Sequence, residues 1–207
     1  MILEIVVCLI VGYLFGCFST GYFYGKLNNI DVREHGSGNI GTTNALRTLG
    51  KKAGLITLLG DILKTILPII ILSVVFKDGE LSYKLIVLYT GLGAVCGHNF
   101  PFWLNFHGGK GIAAMAGIII MFNPWVTLIE IIVFFGIAGV TRYVSLGSLA
   151  VSVVFPLCIL FGWQGDPNYI HMIIVCCILM VLAFVKHRAN IKRLLNGTEN
   201  KLGQKAK

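Results

Sequence analysis

Apolar blocks of membrane-spanning length dominate this chain of 207 residues, whose mean hydropathy is +0.83. A transmembrane helix needs about 20 mostly apolar residues, because the hydrocarbon core of a bilayer is about 30 Å thick. Charged residues make up 13% of the chain, against about 25% in a soluble domain. The sequence therefore predicts an all-α integral membrane protein, folded as a single domain over residues 1–207.

Seven apolar blocks predict a polytopic bundle of about seven transmembrane helices. They lie at 2–24, 54–76, 84–104, 112–122, 124–140, 144–162 and 169–186. The fourth block is short, and Asn123-Pro124 separates it from the fifth, so 112–140 forms either two helices or one re-entrant or bent unit. The first alternative gives seven crossings and the second gives five. After the last block, residues 198–207 are expected to form a partly disordered tail.

The distribution of Lys and Arg predicts the orientation of these helices. Only Lys77 and Lys84 fall in loops on one side of the bundle, and Lys64 falls within a block. All other Lys and Arg residues fall on the opposite side, so the positive-inside rule places the N-terminus outside and the C-terminus in the cytoplasm. The formal net charge of +8 thus reflects membrane topology and does not indicate nucleic-acid binding.

Three ionisable residues lie inside the apolar blocks, where a charge is costly. Asp61 and Lys64 are three apart and share a helix face, so they are expected to pair or to face the bundle interior. A role at a substrate site is the alternative. Glu130 is a lone acid, for which Arg142 is a candidate partner. The six cysteines form no CxxC pair and are expected to be small buried hydrophobic residues.

Three polar stretches interrupt the apolar blocks, at 36–44, 97–111 and 187–190. With the predicted orientation, all three lie at the cytoplasmic face. Glycine-rich backbone beside Arg, Lys and His is typical of phosphate binding. The pattern therefore indicates chemistry on a phosphorylated substrate at that face.

The glycines of the stretch at 36–44 match the G-x-G-x-x-G spacing of a dinucleotide-binding loop. That motif requires a strand before it and a helix after it, whereas apolar spans flank this stretch, so we reject a dinucleotide site. The glycines still allow the backbone to approach an anion. A helix predicted to begin at Ala45 places Arg47 for a bidentate phosphate contact.

The stretch at 97–111 ends in Gly-Gly-Lys-Gly. It is not a P-loop, because Leu104 stands where that motif has its first glycine and no Ser or Thr follows Lys110. The glycines instead predict a flexible loop whose backbone N–H groups can surround an anion, with Lys110 as a cation suited to phosphate. His98 is either a ligand contact or a hydrogen-bond donor at a helix end.

In the third stretch, His187 and Asn190 share a face if the segment is helical. An apolar stripe follows, with Lys192 and Arg193 beside it, which predicts an amphipathic helix on the cytoplasmic membrane surface. His187 has an ordinary pKa near neutrality and is a candidate base or donor.

These motifs, in this order, resemble those of the bacterial acyl-phosphate:glycerol-3-phosphate acyltransferase family. They are SGNIGTTN at 37–44, GHNFP at 97–101 with FHGGKG at 106–111, TRYVS at 141–145 and HRANIKRL at 187–194. The resemblance covers nearly the whole chain. The chain departs from the family pattern at Thr42, His107 and Ala114, where Ala, a basic residue and Thr are expected.

The resemblance implies a multi-pass enzyme of the bacterial inner membrane that acts at the cytoplasmic face. It would transfer a fatty acyl chain from acyl phosphate to the 1-position of sn-glycerol 3-phosphate, giving lysophosphatidic acid and inorganic phosphate, the first step of phospholipid synthesis. The two substrates and the lipid bilayer are the implied partners. No cofactor, metal or acyl-CoA is expected.

The resemblance also assigns roles to individual residues. The catalytic residues would be Ser37, Lys110, His187 and Asn190. Substrate and phosphate contacts would come from Gly38, Asn39, Gly41, Thr43, Asn44, Arg47, His98, Gly108, Gly109, Gly111, Ser145 and Arg188.

Two questions about mechanism and class stay open at this point. No Ser-His-Asp or Cys-His set is visible in the motifs, which disfavours a covalent enzyme intermediate. The hydroxyl proton would go either to His187 or to a substrate phosphate. The alternative to an enzyme is a small membrane carrier or binding protein for an organic phosphate, which should show polar groups at mid-membrane and on both faces.

Overall fold

The computed structural model describes residues 1–204, and within that range its regular structure is entirely helical. The α-helices are α1 (Ile2–Gly16), α2 (Thr20–Leu27), α3 (Thr42–Leu49), α4 (Lys51–Val75), α5 (Tyr83–Asn99), α6 (Ile112–Phe122), α7 (Pro124–Thr141), α8 (Val144–Gly162), α9 (Tyr169–Lys186) and α10 (Arg188–Leu195). A short 3₁₀ helix, Phe102–Leu104, follows α5. The all-helical membrane fold predicted from the sequence is confirmed.

Within residues 1–204, six helical stretches are long and apolar enough to cross a membrane. They are Ile2–Leu27, Lys51–Val75, Tyr83–Leu104, Pro124–Thr141, Val144–Gly162 and Tyr169–Lys186. The remaining predicted segment, α6, has 11 residues. At about 1.5 Å per residue it is roughly half as long as the hydrocarbon core is thick.

Although α6 is short, it runs to the far end of the bundle. The hydroxyl of Tyr83, at the start of α5, donates a hydrogen bond of 2.9 Å to the carbonyl oxygen of Met121. Phe122 packs on Trp163, just beyond α8, with ring centroids 5.2 Å apart. Because α6 is short and ends at the far end, its first residue lies inside the bundle. The loop before α6, which carries Lys110, is therefore partly buried.

The predicted break between α6 and α7 is confirmed at Asn123-Pro124. The Asn123 side chain accepts hydrogen bonds from the backbone N–H groups of Trp125 and Val126, which caps α7. Pro124 occupies the first turn of α7, where its missing N–H costs nothing. The two helices are thus separate elements.

Glycines bring α1 and α5 into direct backbone contact. Gly12 and Gly16 on α1 face Gly93 and Gly97 on α5, and a Cβ at any of the four would lie 2.0–2.3 Å from a carbonyl oxygen of the other helix. Small residues four apart allow such close helix packing in membranes. This contact fixes the end of α5, where His98 lies.

The expected pairing of Glu130 with Arg142 is wrong. Glu130 is buried and its carboxylate has no hydrogen-bond partner within residues 1–204. Arg142 instead donates to the carbonyl oxygen of Leu202 at 2.9 Å, while the Leu202 N–H donates to Arg142 O at 2.7 Å. Arg142 therefore holds the segment around Leu202, because it follows the last residue of α7 whereas Glu130 lies in the middle of the same helix, about three turns earlier.

The segment 198–204 is docked on the bundle, in contrast to the predicted partly disordered tail. Its contacts include the Arg142–Leu202 pair and the buried side chain of Glu199, which is 9% exposed. The rest of the predicted tail, residues 205–207, lies outside the described residues. The docked segment brings an acidic side chain to the polar end of the bundle.

Candidate active site

The loop before α3 is held together by Asn44. Its Oδ1 accepts from the Ser37 N–H at 2.8 Å, and its Nδ2 donates to the carbonyl oxygens of Val32 and His35 at 2.9 and 3.0 Å. Asn44 is 2% exposed. Its amide is engaged inside the loop, where it holds the Ser37 backbone, and the phosphate contact predicted for Asn44 stays a prediction.

Two other side chains of this motif also serve the loop. The Asn39 Oδ1 accepts from the Gly41 N–H at 2.9 Å, and Gly41 is the N-cap of α3. The helix begins at Thr42, three residues before the predicted start. Gly38 has φ +68°, a conformation that glycine adopts readily. Thr43 is half-buried in the first turn, and the Ser37 side chain is exposed.

Arg47 projects from α3 towards the C-terminal segment. Its guanidinium donates to the carbonyl oxygen of Asn200 at 3.3 Å. Burial lowers the pKa of Arg47, Glu199 opposes that shift and Arg193 adds to it, so all three side chains share one neighbourhood. With an ordinary value above 12, Arg47 remains charged.

The glycine loop between α5 and α6 is pinned to the end of α5. The Gly108 N–H donates to Asn99 O at 3.1 Å, and the Gly109 N–H donates to His98 O at 3.0 Å. A Cβ at Gly109 would lie 2.1 Å from His98 Nε2, so only glycine fits. The predicted flexible loop is therefore a fixed turn, and Gly111 ends it as the N-cap of α6 with φ +82°.

Lys110 connects this loop to α10. Its Nζ donates to Asn190 Oδ1 at 2.6 Å. Burial lowers the pKa of Lys110 to about 8, with Glu199 opposing the shift and Arg193, Arg47 and Lys186 adding to it. The ammonium therefore lies in a concentrated positive field that is only partly balanced by one carboxylate.

His187 lies at the N-terminus of α10 and is 2% exposed. Its Nδ1 is 2.8 Å from the carbonyl oxygen of Ala183. A carbonyl only accepts, so Nδ1 carries the proton and Nε2 is left as an acceptor. Burial, assisted by the charge of Lys110, lowers the pKa of His187 to about 4, so the ring is neutral at pH 7.

Glu199 binds three groups from the predicted motifs and was missed as a site residue. Its Oε1 accepts from Asn190 Nδ2 at 2.6 Å and from Ser145 Oγ at 2.9 Å, and its Oε2 accepts from Arg193 Nε at 2.7 Å. Although burial raises the pKa of Glu199, these hydrogen bonds lower it below its usual value. It is the only acid after residue 186, a signal that was available in the sequence.

Five predicted site residues gather around Glu199: Lys110, His187, Asn190, Ser145 and Arg47. Three others, Gly38, Gly108 and Arg188, line a cavity of about 420 Å³. That cavity is lined by Arg33, Gly38, Ile40, Phe100, Phe106, His107, Gly108, Val185, Lys186 and Arg188. The remaining predicted residues lie in the loop before α3 and its first turn, at the end of α5 and in the glycine loop.

His98 lies below the glycine loop, 4% exposed, and contacts Lys64. The predicted pairing of Asp61 with Lys64 is confirmed, with Nζ and Oδ1 2.9 Å apart. All six cysteines are free thiols, of which Cys8, Cys17 and Cys176 are buried, as expected, and Cys96, Cys158 and Cys177 are partly buried. His98 and Lys64 thus lie inside the bundle, next to the loop that carries Lys110.

Comparison with known proteins identifies the class. The family model described as glycerol-3-phosphate acyltransferase matches residues 6–197. A glycerol-3-phosphate acyltransferase of Thermoanaerobacter sp. (strain X514) is 41% identical over 95% of this chain and 94% of its own length. The corresponding protein of Clostridioides difficile (strain 630) is 40% identical over 99% of this chain and 98% of its own.

Solved structures agree with the sequence comparison. The crystal structure of PlsY, an integral membrane glycerol 3-phosphate acyltransferase, in its glycerol 3-phosphate form has a TM-score of 0.83, 34% identity and coverage of 96% of both chains. The lysophosphatidic acid form gives a TM-score of 0.81 with 33% identity over 96% of this chain and 95% of that one. The chain is a membrane-bound acyltransferase. It belongs to the glycerol-3-phosphate acyltransferase family.

Proposed function

We propose that the protein transfers a fatty acyl chain from acyl phosphate to the 1-hydroxyl of sn-glycerol 3-phosphate, releasing lysophosphatidic acid and inorganic phosphate. The observation that carries this is the convergence of Arg47, Lys110 and Arg193 beside His187 and Asn190. The relatives are named for glycerol 3-phosphate, and the two PlsY forms for that substrate and for lysophosphatidic acid.

The main task of such a site is to hold two phosphorylated reactants that repel each other. Acyl phosphate is an activated mixed anhydride, so its phosphate leaves without strong acid assistance. Fixed cations in a partly buried site offset the repulsion and stabilise the charge that develops on the reacting oxygens. Arg47 and Lys110 are placed for this, and the hydrogen bond from Lys110 fixes the Asn190 amide beside them.

The surroundings of His187 favour one of the two candidate acceptors for the proton of the glycerol 3-phosphate hydroxyl, which are His187 and a substrate phosphate. A general base works best when its pKa lies near the operating pH. Burial holds the pKa of His187 at about 4, whereas a phosphate monoester has its second pKa near 6. We therefore assign proton acceptance to a substrate phosphate, and His187 positions substrate through its Nε2.

We place this site at the cytoplasmic face of a bacterial inner membrane, with the N-terminus outside. The support is the asymmetry of Lys and Arg together with the contacts that bring Arg47, Lys110, Arg142 and Arg193 to one end of the bundle. The path of α6 to the opposite end supports seven passes of the chain.

Purified protein mixed with palmitoyl phosphate and radiolabelled glycerol 3-phosphate should form labelled lysophosphatidic acid and inorganic phosphate. Palmitoyl-CoA in place of palmitoyl phosphate should give no product. A carrier for organic phosphates would instead move labelled glycerol 3-phosphate into sealed vesicles without forming lipid. Product formation from the coenzyme A ester alone would refute the donor proposed here.

A further inference from the structure

The ammonium group of Lys64 makes three contacts inside the bundle. Its Nζ lies 2.6 Å from Phe18 O, 2.9 Å from Asp61 Oδ1 and 2.8 Å from His98 Nδ1. Thr20 Oγ1 donates to the same Asp61 oxygen at 3.2 Å. Lys64 has three protons to donate, and each of the three contacts is an acceptor.

These contacts join the elements that surround the glycine loop. The carbonyl of Phe18 is available because the chain breaks between α1 and α2, and Asp61 and Lys64 come from α4. His98 is the penultimate residue of α5. The ion pair therefore lies where three transmembrane elements meet, directly beneath the segment that carries Lys110.

The contact with Lys64 determines which nitrogen of His98 carries the proton. An ammonium only donates, so Nδ1 accepts and the proton of the neutral ring resides on Nε2. That Nε2 is the edge of the ring that lies against Gly109, where a Cβ would approach to 2.1 Å. The same residue holds the loop through its carbonyl, which accepts from the Gly109 N–H.

We propose that Asp61 and Lys64 are positioning residues, which fix the His98 ring and through it the placement of the Gly109–Lys110 backbone. This proposal rests on the function proposed above, since Lys110 is the cation whose placement matters. The order of contacts is Asp61 to Lys64, Lys64 to His98, His98 to Gly109, and then Lys110 to Asn190.

A purely structural ion pair predicts a different result from a positioning pair. Removing one partner leaves a lone buried charge, which is destabilising, whereas removing both often leaves a membrane or core site as stable as before. If the ion pair were only structural, the double variant would be as stable and as active as the wild type. A positioning pair would not, because the neutral double variant has no ammonium to hold His98 Nδ1.

The test compares Lys64→Met, Asp61→Asn and the double variant, purified in detergent. We expect both single variants to melt at lower temperature and the double variant to recover. In the double variant, kcat/KM for glycerol 3-phosphate should stay about 100-fold below wild type, the loss expected when a reacting group is displaced by about 1 Å. Recovery of wild-type turnover in the double variant would overturn the proposal.

Glu130→Gln is the matched control. It also replaces a buried carboxyl group by an amide within a transmembrane helix, but Glu130 has no hydrogen-bond partner in residues 1–204 and lies on α7, away from the glycine loop. It should keep wild-type kinetics. If Glu130→Gln loses activity to the same extent, the kinetic effect is a general response to altering a buried acidic side chain and the positioning role fails.

A spectroscopic measurement separates this proposal from the proposed reaction. Nitrogen-15 NMR of the ring nitrogens should show His98 of the wild-type protein as the Nε2–H tautomer, and this single form should give way to a tautomer mixture in Lys64→Met. An Nδ1–H ring in the wild type would overturn the positioning role whatever the enzyme transfers. Absence of lysophosphatidic acid from wild-type protein would refute the reaction and leave this measurement intact.

Discussion

Lys110 and Asn190, which are 80 positions apart in the chain, are joined by a hydrogen bond of 2.6 Å between Nζ and Oδ1. This contact joins the glycine loop after α5 to the helix that follows the last transmembrane span. The Nδ2 of Asn190 in turn donates a hydrogen bond to Glu199 in the docked C-terminal segment. The amide is thus oriented by a cation on one side and a carboxylate on the other.

Loss of either phosphate-binding cation should abolish acyl transfer. We expect Lys110→Ala and Arg47→Ala to lower kcat/KM at least about 1,000-fold, because removing one stabilising donor from an active site costs about 100- to 1,000-fold and these residues also hold substrate. Lys77→Ala, an exposed lysine at the other end of the bundle, is the control and should be inert. Wild-type turnover in either site variant would refute the site.

Lys110 should set the alkaline limit of activity. Burial lowers its pKa to about 8, from an ordinary value of 10.5, so the ammonium is present below pH 8 and is lost as the pH rises through 8. The pH dependence of kcat/KM, which reports the free enzyme, should therefore fall on the alkaline side near that value. A plateau extending to pH 10 would show that Lys110 stays charged or is not required.

Asn44 should contribute to stability and Ser37 to chemistry. Replacing Asn44 with Ala removes one buried and two partly buried hydrogen bonds, and leaving a buried group such as Val32 O unpaired costs about 1–3 kcal/mol. We expect a lower melting temperature in Asn44→Ala. In Ser37→Ala the bond from the backbone N–H to Asn44 persists, so the melting temperature should hold while turnover falls. A stable, fully active Asn44→Ala protein would contradict the assignment.

Apolar block length was sufficient to predict the helical architecture, while the orientation derived from the asymmetry of Lys and Arg stays a prediction. Most helix ends fall within a few residues of the predicted block ends, because the thickness of the bilayer sets helix length independently of packing details. The route of α6 could not be predicted, since it depends on where the loop at Gly108 is held by α5. The contact between α1 and α5 was also missed, although glycines four apart on both helices were visible.

The sequence predicted only part of the site. Its motifs are short and could be recognised locally, but the residues that contact them are distant in the chain. Lys110, His187 and Asn190 do converge, but Asn44 and Asn39 bond within their own loop. Glu199 was not predicted as a site residue because the Lys-rich composition of its segment is typical of disordered tails. Composition does not show that a single acidic side chain binds Asn190, Ser145 and Arg193. Arg142 was wrongly paired because sequence spacing does not show backbone acceptors.

Glu199 should tune Lys110 through charge. Its carboxylate opposes the fall in the Lys110 pKa, so Glu199→Gln should lower that pKa further while the amide can still accept from Ser145 or Asn190. With a lower pKa, the Lys110 ammonium is lost at lower pH. The alkaline fall in kcat/KM should therefore move to more acidic pH in Glu199→Gln, and Glu199→Asp, which keeps the charge, should move it less. An unchanged profile in Glu199→Gln, with the protein still folded, would mean that Glu199 does not act on Lys110 electrostatically and serves only to dock the segment on the bundle.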